Sequence, residues 1–291
     1  MVCYFLWLQF VVGLRPDHLT ILGILVGMFF LSEMTNKVLA SITFLLIFGI
    51  IFDSMRVIPN YTVNSVYIQE LYDLEKSLFG INTANGRLTP NEFLVPYYTP
   101  LWDFICGFSY LCWMPVPIMY CIYLYFKEDY EILIQFSFCF LFANIIGISL
   151  YYLFPAAPPW YVDMHGFTEN YDIPGSSAGL KRFDDLLGIT VFQGIYDKSA
   201  NVFAAIPSMH CAFPLLITHF GLKNKNYLLV IFFVLYMFGT WYGALYTFHH
   251  YTVDIILGIF CAIFALVVCE KLLFKSKLKI VLNHLANYIR E

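Results

Sequence analysis

Three side chains in the last third of this sequence have types and spacing that could do chemistry. They are His210, in "NVFAAIPSMHCAFPLL" at 201 to 216, and His250 with Asp254, in "YTFHHYTVDIILG" at 246 to 258. Both stretches are otherwise apolar, and an ionisable group in an apolar span costs about 3 kcal/mol unless it faces protein or water. Positions four apart share a helix face, so Tyr246, His250 and Asp254 form one stripe if the chain stays helical through His249 and His250. His250 and Asp254 can then touch, as a functional pair or as a polar clasp between helices. His249 lies about 100° round the helix and points elsewhere, to the interface or to the surroundings of a substrate.

The other stretch reads as a helix start. Pro207 suits a first helical turn and Ser208 is short and polar, which leaves free amides near Ser208 and Met209. Such an end binds anions. His210 alone would be a boundary histidine turning to water. Two histidines at helix ends on one side of a membrane, one with a carboxylate and one beside free amides, point to phosphate chemistry.

The elements that must hold these residues are membrane helices. The chain is 60% hydrophobic, 20% aromatic and 12% charged, against roughly a quarter charged in soluble domains. Apolar runs lie near 19 to 34, 38 to 58, 103 to 126, 132 to 154, 203 to 222, 227 to 248 and 251 to 270, each close to the ~20 residues that cross a bilayer. The expected fold is therefore all-α, a polytopic transmembrane bundle of six or seven spans. Residues 1 to 102 hold the first spans and an outer loop, 103 to 270 a catalytic core, and 271 to 291 a basic cytoplasmic tail. The opening "MVCYFLWLQFVVGL" lacks a basic n-region and a cleavage site, and it reads as membrane-associated.

Short connections with Lys37, Lys127, Lys223 and Lys225, and the tail with Lys271, Lys275, Lys277, Lys279 and Arg290, belong to the cytoplasmic side by the positive-inside rule. The long loops at about 59 to 102 and 155 to 202 then face outward with the histidines, toward a Golgi lumen or a bacterial periplasm. The second loop could cap the site. In "PAAPPWY" the prolines end the fourth span, and Trp160 and Tyr161 anchor it at the bilayer boundary, with a share in shaping the headgroup pocket as the alternative. Asn60 heads a glycosylation triplet that hugs the membrane. No spacing of His and Cys suggests a metal site, and the eight cysteines avoid both outer loops, so no disulfide framework is expected.

"IPSMH", followed some forty residues later by "HYTVD", resembles the second and third motifs of the type 2 phosphatidic acid phosphatase superfamily, Pro-Ser-x-His and His-x-x-x-Asp. The doubled histidine and "LFPAAPPWY" are similar to the branch containing inositol phosphorylceramide synthase. "HYTVDII" also resembles sphingomyelin synthases. The resemblance implies that His250 attacks phosphorus, Asp254 holds its ring, and His210 protonates the departing oxygen and later deprotonates the acceptor. It implies no metal or cofactor. Phospholipid donor and lipid acceptor both come from the bilayer; nucleic acid plays no part, and a regulatory membrane subunit or homo-oligomer is left open.

Two departures stand out. The first motif, Lys-x6-Arg-Pro, is absent, and Ala244 replaces the arginine six residues before the histidine. A phosphoryl-transfer site still needs positive charge or oriented donors. Arg56, which Asp53 could orient, and Lys181 with Arg182 are the candidates, although Asp184 and Asp185 make the latter pair resemble a solvated cluster. Losing those cations favours a diester substrate. A transferase is thus expected ahead of a lipid phosphate phosphatase using water, and both ahead of a proton relay, because the third to seventh runs carry little charge away from their ends. Inositol would be read through its hydroxyls and choline by an aromatic cage; the chain has the tyrosines and phenylalanines for either.

Overall fold

The computed structural model describes residues 2–84, 86–197 and 201–291 of the 291-residue chain. Within hydrocarbon every backbone amide needs an internal partner, so apolar runs become helices. The helices used below are α1 (Pro16–Leu31), α2 (Glu33–Ser41), α3 (Thr43–Ser54), α4 (Gln69–Phe79), α5 (Pro100–Leu111), α6 (Pro115–Phe126), α7 (Tyr130–Leu153), α8 (Met209–Lys223), α9 (Tyr227–Tyr246), α10 (Thr252–Lys271) and α11 (Leu278–Arg290). Two short strands, Ile81–Thr83 and Gly86–Leu88, pair antiparallel in the first long loop.

Among the described residues, three helices are long and apolar enough to cross a membrane: α7, α9, and α10 continued to Lys275. Two bent pairs, α2 with α3 at 59° and α5 with α6 at 55°, bring the number to five if each is one span. This count is lower than the six or seven apolar runs. The first run folds as α1, 16 residues long, and the fifth as α8, 15 residues long, both short of the ~20 needed. The shortfall in α8 has a structural reason. Its run spends residues 203 to 208 on irregular backbone beside a cavity, where non-helical chain is tolerated. The bend in the third run falls where Pro115 takes the first position of α6, a place its missing N–H suits.

One apolar core joins the helices. It runs from Leu45 and Phe48 on α3 through Phe136 and Phe140 on α7 to Phe213 on α8 and Ala262 on α10. Phe48 meets Phe140 edge-on, with centroids 5.5 Å apart. Residues before 102 and after 103 thus share a core. Leu282, Ala286 and Ile289 of α11 are buried in the same cluster, so the basic tail packs its apolar face back onto the bundle. Because lipid is as apolar as leucine, helix association rests on close fit and small residues. Gly258 on α10 illustrates this: a Cβ there would stand 2.2 Å from the Ser208 carbonyl oxygen.

The two long loops, at about 59 to 102 and 155 to 202, cover one end of the bundle. The "PAAPPWY" segment is stitched into this layer by backbone bonds: Ala156 N–H donates to Phe203 O, Ala157 N–H to Tyr67 O, and Trp160 N–H to Phe248 O. Trp160 is 4% exposed and Tyr161 0%. The boundary-anchor reading of these two aromatics is therefore corrected, because they pack under the histidine turn with Phe203 and Phe248. Asn60 is also fully buried, its amide donating to the Tyr151 and Phe203 carbonyls. It is no glycosylation acceptor in this fold.

Candidate active site

The chain leaves α9 at Tyr246 and reverses. Phe248 takes φ of 61°, and the amides of His249 and His250 both donate to the Ala244 carbonyl, at 3.1 and 3.0 Å. Tyr251 is extended, and α10 begins only at Thr252. The histidine turn is therefore not helical, and Tyr246, His250 and Asp254 do not form a continuous helix stripe. His250 and Asp254 still meet, with Nδ1 3.4 Å from Oδ2. The same Oδ2 accepts the Tyr251 amide at 2.9 Å, so the carboxylate caps its own helix while facing the ring. Nδ1 turned toward Asp254 leaves Nε2 on the far side of the imidazole.

His210 is the second residue of α8, not part of a turn containing Pro207, which lies before the Ser208 cap. The two helix starts are joined directly, since Ser208 N–H donates to the Asp254 carbonyl at 2.9 Å. Gly258 permits that approach. His210 stacks on Tyr110 at 4.5 Å and meets the edge of Trp113 at 5.3 Å. Its ring centroid is 5.8 Å from that of His250.

Both histidines, with His249 and Met209, line one cavity of about 630 Å³. Apolar side chains such as Phe48, Phe52 and Phe213 form part of its wall, and Arg15, Asp17 and Arg56 another part. Arg56 is turned by Asp53, with Nη2 3.0 Å from Oδ1. Arg15 shares that carboxylate at 2.9 Å, and His18 holds its other oxygen at 2.9 Å. Arg15 is not among the sequence candidates, because it lies far from the histidine motifs in the chain and only the fold brings it to the cavity wall. Lys181 and Arg182 do not line the cavity. Lys181 pairs with Asp185 in solvent, while Arg182 binds Asp103 at 2.6 Å and the Tyr246 carbonyl at 3.1 Å, stacked 3.6 Å above Tyr98. Ser208 is fully buried behind the wall.

Two further residues hold the site from the first long loop. Glu75 on α4 is 0% exposed, and its two oxygens accept the Thr252 and Val253 amides at 2.8 and 3.0 Å. Burial raises its carboxyl pKa above the ordinary value while those bonds oppose the shift. With Asp254 on Tyr251, three free amides at the start of α10 are satisfied. Asn91, also 0% exposed, donates from Nδ2 to the carbonyls of Leu245 and His250, at 2.9 and 3.0 Å. In the turn between the spans, burial lowers the His250 pKa to about 4, leaving a neutral ring with an available lone pair.

The family model for the PAP2 superfamily matches residues 92–268, the stretch that contains both histidines, Asp254 and the helices between them. The chain belongs to the PAP2 superfamily. It is similar to a protein of Bacteroides thetaiotaomicron named phosphoinositol dihydroceramide synthase, 42% identical over 254 residues, or 87% of this chain and 83% of that one. It is also similar to inositol phosphorylceramide synthase of Candida albicans, 29% identical over 205 residues, covering 69% of this chain and 41% of the relative. The catalytic subunit of the same-named synthase from Saccharomyces cerevisiae is 36% identical over 118 residues, 40% of this chain and 29% of its own length. No solved structure matches. Within the superfamily the departures noted above have a physical counterpart. Ala244 is fully buried, and its carbonyl is occupied by the two histidine amides.

Proposed function

We propose that this membrane protein transfers phosphoinositol from phosphatidylinositol to ceramide or dihydroceramide on the exoplasmic side, through a phosphohistidine. The observation that carries the reading is His250, backed by Asp254, facing His210 across one cavity with apolar and charged walls. The 42% identity to a phosphoinositol dihydroceramide synthase supports the choice of headgroup and acceptor. The basic short connections and tail support the orientation.

In the first half-reaction His250 Nε2 attacks phosphorus and the bond from phosphorus to the diacylglycerol oxygen breaks. His210 gives that oxygen its proton, and Asp254 stabilises the positive charge left on His250. In the second half His210 takes the proton of the ceramide hydroxyl, the oxygen attacks phosphorus, and the phosphorus–nitrogen bond breaks. Each turnover returns both histidines to their starting states. Arg56 and Arg15 supply cationic donors in place of the missing motif residues. The phenylalanine-lined wall accepts acyl chains.

The test is transfer by purified protein between phosphatidylinositol and fluorescent ceramide, wild type against His250→Ala. Wild type is expected to make a phosphoinositol-bearing sphingolipid, and the variant to lose at least about 10³-fold of the rate, a loss typical of removing a nucleophile. Phosphate release from phosphatidic acid without that product would sink the transferase reading. The nucleophile must be neutral and His210 must carry a proton, so activity is lost on the acid side as His250 is protonated and on the alkaline side as His210 loses its proton. Burial has lowered the His250 pKa, so the acid limb of kcat/KM is expected below the ordinary imidazole value of about 6.5. A limb above that value would mean that the Asp254 charge outweighs burial.

A further inference from the structure

His249 does not serve the phosphoryl transfer described above, yet it is only 4% exposed and lines the same cavity. Its Nδ1 lies 3.1 Å from the Thr247 carbonyl oxygen and 3.2 Å from Thr247 Oγ1. A carbonyl can only accept, and Oγ1 donates its own hydrogen to the Gly243 carbonyl. Nδ1 therefore carries the ring hydrogen, and Nε2 presents a lone pair. Burial holds the imidazole well below its usual pKa, in the neutral form. The ring is fixed between Tyr196 at 4.7 Å and Tyr110 at 5.3 Å.

Nε2 is buried and has no hydrogen-bond partner among the described residues. The same holds for Asn201, which lines the cavity and whose amide oxygen and nitrogen are both buried and unpartnered. Buried polar atoms are rarely left without partners, so such a set marks the place of a ligand's own polar groups. Its chemistry is specific. One imidazole acceptor, one amide acceptor and one amide donor, all uncharged, match neutral hydroxyls that both donate and accept. A quaternary ammonium has no hydrogen to give and would leave all of them unmet.

We infer that His249 Nε2 and the Asn201 carboxamide form a hydroxyl-reading subsite that holds the inositol ring of the donor lipid. This inference rests on the transferase reading and adds how the headgroup is chosen. A site built to bond hydroxyls rejects analogues that lack them far more strongly than an apolar pocket discriminates by size. The subsite therefore selects phosphatidylinositol over phosphatidylcholine.

The experiment compares wild type with His249→Phe, which keeps an aromatic ring between Tyr110 and Tyr196 but removes the acceptor, and with Asn201→Leu. Steady-state transfer is measured while donor and ceramide are varied separately, and folding is followed by the melting temperature. Both variants are expected to raise the KM for phosphatidylinositol at least tenfold, leave that for ceramide within about twofold, and narrow the preference over phosphatidylcholine. A rise confined to the ceramide KM would overturn the assignment, since the hydroxyls read would be those of the acceptor. Unchanged constants for both lipids would overturn it too. If His249→Phe shows no folded melting transition, Asn201→Leu decides alone. Failure of wild type to make any phosphoinositol product defeats the transferase reading itself, an outcome separable from a variant that transfers with an unaltered donor KM.

Discussion

The two long loops reach the same site by different means. In the first, the buried polar side chains end on backbone: Asn60 on the Tyr151 and Phe203 carbonyls, Glu75 on two amides of α10, Asn91 on the carbonyls of Leu245 and His250. In the second, Trp160, Phe192, Tyr196 and Asn201 turn side chains into the cavity. One loop fixes where the catalytic backbone lies; the other faces what enters. Damage to the first should therefore lower kcat, and damage to the cavity-facing side chains of the second should raise KM.

The largest effect within this comparison is expected from Glu75→Ala. It strands the Thr252 and Val253 amides, each costing about 1–3 kcal/mol when buried without a partner. The first turn of α10 then loosens, and Asp254 moves relative to His250. The expected outcome is a lower melting temperature and a kcat reduced about 10²-fold, because small misplacements of catalytic groups are costly, with the donor KM within threefold. Thr252→Pro sharpens the test. Proline at the first helical position is tolerated, and Tyr251 is already extended with φ of −78° and ψ of 165°, as a residue before proline prefers. That variant removes one of the two amides Glu75 accepts, so combining it with Glu75→Ala should give less than the sum of the single effects. Additive losses, or a raised KM with kcat intact, would break the division of labour between the loops.

These contrasts also mark what was legible in the sequence. The helical class, the paired histidines and Asp254 showed because rare polar residues stand out in apolar runs. Glu75 did not, since "QELYDLEKSLF" reads as a solvated amphipathic stretch, and its partners are backbone amides, which every residue type carries. Asn91 escaped notice for the same reason. The His250–Asp254 contact was read from a helical stripe, whereas the turn at Phe248 and the cap at Tyr251 create it. Hydropathy marked the apolar runs but not that two of them fold as bent pairs, nor that α8 begins only after irregular chain beside the cavity. Trp160 and Tyr161 looked interfacial because the sequence does not reveal that Val66 and Ile68 of the first loop pack with them.

The smallest effects separate two neighbours in the second loop. Lys181 and Arg182 look equivalent in sequence, but Lys181 is 62% exposed in an ion pair with an equally exposed Asp185, and such pairs contribute little. Arg182 is 27% exposed and ties Asp103 to the last carbonyl of α9 while stacking on Tyr98. Arg182→Ala should cost about 1–3 kcal/mol, the range for a hydrogen-bonded charge with an aromatic contact, and lower kcat a few-fold through the end of α9. Lys181→Ala should leave the melting temperature and both lipid KM values unchanged. Should Lys181→Ala instead raise the donor KM, its charge would belong to phosphate recognition. The cationic work assigned to Arg15 and Arg56 would then be shared across the loop, and exposure alone would no longer separate the two neighbours.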